Sequence, residues 1–128
     1  MSLPLFVPET EPELLALLAA HHARVMRMFA QFTVLSDDDA RLRMVERVCV
    51  ELRLHARIAC DRLYPALRAI RDARPLVEDA LAHHRYSEGL IAEMMAMSPA
   101  DHLYGAKFAV LGEYVRHHID ELQAGFAR

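Results

Sequence analysis

Six of the eight histidines in this chain stand in adjacent pairs: His21–His22, His83–His84 and His117–His118. A seventh, His55, lies in a segment of helix-like apolar periodicity. A single histidine on an apolar face is ordinarily a hydrogen-bonded core residue. Several that converge are hard to satisfy with protein hydrogen bonds alone. A cation satisfies them directly, because neutral imidazole is a good donor to iron, zinc, copper and nickel. Two carboxylates stand at helical spacing from these histidines: Glu88 four residues after His84, and Glu121 four residues after His117. Each pair therefore projects from one helix face. Mixed imidazole and carboxylate ligation without thiolate is the chemistry of non-haem iron more than of structural zinc.

Such residues need rigid elements to bring them together, and the rest of the sequence supplies four. The chain has 128 residues, the size of one domain, and 54% of them are hydrophobic, enough for one core. Only 4 glycines are present, so sheet-type turns are scarce, and no segment alternates with period two. Punctuation at Thr10-Glu11-Pro12, Ser36-Asp37-Asp38-Asp39, Pro75 and Ser98-Pro99 predicts helices over about 11–35, 37–64, 75–97 and 99–124. Pro65 kinks or ends the second. Short connections make sequential helices antiparallel, so the expected fold is all-α, a single up-down-up-down four-helix bundle.

Each helix then has a core stripe with one histidine in it. The stripes are Leu15-Leu18-His22-Val25-Phe29-Phe32, Val45-Val48-Leu52-His55-Ala59-Leu63, Val77-Leu81-His84-Glu88-Ile91-Met95 and Ala106-Val110-Tyr114-His117-Glu121. In this topology His22, His55, His84 and His117 lie about 10, 9, 9 and 8 residues from one end of the bundle, within roughly one turn of each other. Spacing leaves each doublet open. His21, His83 and His118 also sit on apolar stripes, for example Leu111-Val115-His118-Leu122.

At these residues the chain resembles the hemerythrin-like HHE cation-binding family. The segments are LLAAHHARVMRMFAQF, ELRLHARIACDRLYPAL, VEDALAHHRYSEGLIAEM and AVLGEYVRHHIDE, in order across about residues 12–122. The resemblance implies metal ligands at His22, His55, His84, His117 and Glu121. It also implies a glutamate four residues after His55, where this chain has Ala59. Asp61 lies roughly 240° round the helix from His55 and does not replace it. Three site states follow: a dinuclear centre in which Glu88 supplies the missing carboxylate, a mononuclear centre, or a degenerate site that uses the alternate histidines.

The expected function is metal binding at a non-haem (di-)iron site, for reversible O2 or NO binding, sensing, or iron handling. Alternatives are a peroxide- or NO-processing iron enzyme and a metal-free interaction module. Glu51 and Glu113, each one turn before a ligand histidine, read as solvated helix glutamates or as groups that orient those rings. With Lys+Arg 15 against Asp+Glu 18, the chain lacks the charge footprint of a nucleic-acid binder. No apolar run approaches the roughly 20 residues of a membrane span, and no signal peptide is legible. Cys49 and Cys60, about three turns apart on one helix, are too distant for a disulfide. A reduced, cytoplasmic setting is expected.

Overall fold

The start of the second helix is set by a short polar side chain that satisfies one of its first free N–H groups. The computed structural model describes residues 11–69 and 74–126. The expected N-cap at Thr10, and the side chains of Leu14, Leu15 and Leu122, lie outside the described residues. Helix α1 spans Glu11–Phe32 and α2 spans Asp38–Ile58. Asp37 caps α2: its backbone is extended and its carboxylate accepts from the Ala40 N–H at 2.9 Å. A π-helical turn, Ala59–Leu63, carries α2 directly into the short α3, Tyr64–Arg68. Helices α4, Arg74–Ala96, and α5, Tyr104–Phe126, complete the chain, and no strand occurs among the described residues.

Three boundaries differ from expectation, the first being the end of α1 at Phe32 instead of about 35. The second rod runs through Pro65 to Arg68 by way of the π turn. The last helix begins at Tyr104 instead of 99, because Ser98–Leu103 folds into turns. There the Ser98 carbonyl accepts from Asp101 N–H and the Asp101 carboxylate accepts from Leu103 N–H.

The described residues are all-helical and form four helical rods. α1 packs on α2, α2 on α4, α4 on α5 and α5 on α1, so each rod buries faces against two neighbours. One core cluster joins Val25, Phe29 and Phe32 to Val45, Val48, Tyr104, Phe108, Leu111 and Val115. A smaller cluster joins Leu18 to Ala59, Leu63, Tyr64, Leu67, Val77 and Ala80. Close approach of α5 to α1 requires Gly112, since a Cβ there would lie 2.9 Å from the Phe29 ring. No helix among the described residues is long and apolar enough to cross a membrane.

The expected stripe is displaced on α5. Val110 is 57% exposed and Ala106 faces outward, while Tyr104, Phe108, Leu111, Val115 and Ile119 are buried. The reason is bulk: this face offers two aromatic rings and three branched side chains, and buried apolar area decides helix rotation. On α4, Met94 is buried in place of Met95.

Candidate metal centre

The two apolar clusters are separated by a layer of histidines. A cavity of about 40 Å³ lies in this layer, room for a water molecule or an ion. Imidazoles from all four rods line it: His22 from α1, His55 from α2, His84 from α4 and His118 from α5. The His22 and His55 ring centroids are 5.1 Å apart, and those of His84 and His118 are 5.2 Å apart, both pairs edge-on. Between them the walls are mostly apolar, with Leu18, Leu52, Ala59, Val115 and Ile119, and Tyr64, Ser87 and Tyr114 add hydroxyl groups.

This environment keeps the rings neutral. Burial pushes the His55 and His118 pKa values down from 6.5 to about 3, and those of His22 and His84 to about 4. Neighbouring imidazoles add to each shift, since a proton on one raises the cost of a proton on the next. His22 and His84 both act on His55, as His22, His83 and His84 act on His118. Neutral imidazole is the form that donates a lone pair to a cation.

His55 is the extreme case. It is 4% exposed, and neither ring nitrogen has a hydrogen-bond partner. His84 differs, because its Nε2 lies 2.8 Å from the hydroxyl of Tyr64, a residue only 1% exposed. The π turn explains this contact. Five residues along a regular helix, Tyr64 would point about 140° away from Ala59. Instead, Tyr64 N–H bonds to Ala59 O, and both residues line the cavity. In the tautomer whose Nε2–H donates to the phenol oxygen, the Nδ1 lone pair of His84 is left for a cation.

Of the residues expected from sequence, His22, His55 and His84 are brought together. His117 is not: its side chain is 70% exposed, and its neighbour His118 takes the cavity position. The rotation of α5 onto its bulkier face makes this exchange. The alternate stripe through Leu111, Val115 and His118 was the signal in the sequence.

The expected carboxylates also lie outside. Glu88 is exposed on the α2–α4 flank, where Arg53 holds it through Nη2 at 2.8 Å and Nε at 3.1 Å. It does not stand in for the carboxylate missing at Ala59; Ser87 lines the cavity instead. Glu121 sits 3.0 Å from His117 Nε2 and 3.2 Å from His83 Nε2, on the outer side of the layer. Glu113 pairs with Arg116 at the surface.

The donor chemistry of the cavity fits a transition-metal ion held by imidazole nitrogens. It does not fit a pair of irons bridged by Glu88 and Glu121, because neither carboxylate lines the cavity. Two further groups flank the layer. His21, Glu51 and His55 lie between α1 and α2, and Asp79, His83 and Glu121 between α4 and α5. In each group, one donor atom per residue falls within 4.8 Å of the others. Compared with protein-family models, curated proteins and solved structures, the chain matches none.

Proposed function

We propose that this chain is a metal-binding protein that holds a transition-metal ion, iron first, among His22, His55, His84 and His118. The fold we assign is an up-down-up-down bundle of hemerythrin-like type, supported by the short connections at 33–37 and 97–103. The observation that carries the reading is His55, buried with both ring nitrogens unpartnered beside three other neutral imidazoles. Leaving such a group unsatisfied costs about 1–3 kcal/mol, which coordination removes. A bound iron would supply an open coordination position for O2 or NO, so reversible binding, sensing or iron handling are the roles proposed. The apolar side chains of Leu18, Leu52, Val115 and Ile119 limit access of water to that position. With Glu88 and Glu121 outside the cavity, a single imidazole-held ion is favoured there over the bridged dinuclear form.

Metal analysis after anaerobic reconstitution with Fe(II) tests this. Wild type, His117→Ala and Glu88→Ala are expected to bind the same amount of iron, whereas His55→Ala loses most of it and His118→Ala loses the share that the cavity holds. Wild type that takes up no metal, or His118→Ala with the same iron content as wild type, overturns the reading.

A further inference from the structure

We propose that His21, Glu51 and His55 form a two-histidine, one-carboxylate site for a divalent transition-metal ion on the α1–α2 flank of the histidine layer. The inference rests on the reading of this layer as a metal centre and names a donor set within it.

Glu51 and His55 are four residues apart on α2 and share a face, and His21 reaches them from the adjoining α1. Their donor atoms already lie within 4.8 Å of one another. Ligands about 2.1 Å from a shared ion are separated by at most about 4.2 Å, so small side-chain rotations close the set. The His21 and His55 rings have centroids 4.6 Å apart and are tilted by 43°, which lets two lone pairs converge without stacking.

A second observation is independent of this spacing. His21 Nδ1 and both nitrogens of His55 are buried and without partners, and His55 is almost wholly enclosed. Glu51 is 17% exposed, and Arg24 approaches one carboxylate oxygen at 3.4 Å. That ion pair holds the carboxylate near the layer and leaves its other oxygen uncommitted.

Ala59 leaves α2 with no carboxylate one turn after His55, and Glu51 offers one a turn before it. Two imidazoles and one carboxylate with remaining positions open is the donor set of non-haem Fe(II) sites. The group on the opposite flank has no such support. His83 bonds to the Tyr114 hydroxyl and pairs with Glu121, and Asp79 and Glu121 face solvent.

Since His55 serves both this site and the cavity, variants of the other residues separate the two. Co(II), followed by visible absorption and equilibrium dialysis on the full chain, is the probe. The double variant His84→Ala/His118→Ala is expected to keep one tightly bound Co(II). Adding Glu51→Gln to it weakens that binding by at least about tenfold. Circular dichroism checks that each variant remains helical, and His21→Ala gives a second removal of one ligand. Unchanged Co(II) affinity in both Glu51→Gln and His21→Ala overturns the proposal while leaving the four-histidine cavity standing. Loss of all Co(II) in His84→Ala/His118→Ala, with helicity intact, also overturns it. If His118→Ala keeps full metal and Glu51→Gln loses it, the flank site holds and the cavity reading falls.

Discussion

Burial of four imidazoles makes the metal-free chain sensitive to mild acid. In the unfolded chain each histidine titrates near 6.5, but in the fold His55 and His118 titrate near 3, and His22 and His84 near 4. Below about 6.5 the unfolded state therefore takes up protons that the folded state refuses. Stability is full above that pH and falls as pH drops toward the folded values, by at most about 1.4 kcal/mol per pH unit for each histidine. Urea unfolding of the metal-free chain should show a midpoint that declines from pH 7 to pH 5, above the range where carboxylates dominate. A midpoint constant over that interval would mean that the rings are solvated and the layer is open. At this scale the sequence was informative about residue type and spacing. His22, His55 and His84 could be placed by their apolar neighbours. His117 and His118 could not be separated, because a doublet offers one imidazole to each of two adjacent faces. Glu88 was misplaced because a residue 40° off the stripe can reach the helix flank, and there Arg53 gives it a charged partner.

Among the elements, the π turn of the second rod has the most local consequence. In a regular helix Pro65 would have no N–H to offer the carbonyl of Asp61, and its ring would press on that carbonyl. Widening the preceding turn relieves the contact and carries Tyr64 round beside Ala59, within reach of His84. Pro65 announces an interruption in the sequence, but not whether the rod stops, kinks or widens, since that depends on what the displaced face meets. Here it meets Leu18, Val77 and Ala80, an apolar cluster that buries Leu63, Tyr64 and Leu67. The Tyr64 hydroxyl and the π turn should then be energetically coupled. Tyr64→Phe removes a buried hydrogen bond and is expected to cost about 1 kcal/mol of stability. Pro65→Ala restores the donor, lets the helix regain its regular pitch, and swings Tyr64 from His84. In that background Tyr64→Phe should cost close to nothing. A double-mutant cycle by chemical denaturation measures the difference; equal costs in both backgrounds would show that the proline does not position the tyrosine.

For the whole molecule, the histidine layer lies between two apolar clusters of unequal size, and this decides how far metal and folding are linked. The larger cluster contains Phe29, Phe32, Tyr104 and Phe108, whose rings pack at centroid distances of 4.5 to 6.4 Å. None of these rings lines the cavity. The sequence pointed to four rods around one core; it did not show that the core divides into two clusters or that α5 turns its bulkier face inward, because rotation is settled by the summed burial of all the rods. Because the aromatic end is complete without an ion, chelation should leave the helices formed, unlike a domain whose only core is its metal. The smaller cluster, with Leu63, Tyr64 and Leu67, depends more on the layer beside it. Metal at about 100 times its Kd is expected to add about 2.7 kcal/mol to unfolding, or roughly 10 °C in Tm. Amide hydrogen exchange locates the effect: chelation should speed exchange over residues 55–68 and leave the end of α1 and the start of α5 protected. Collapse of helicity over the whole chain on chelation would mean that the aromatic end is not an independent core, and that the ion, not the apolar face, holds the rods together.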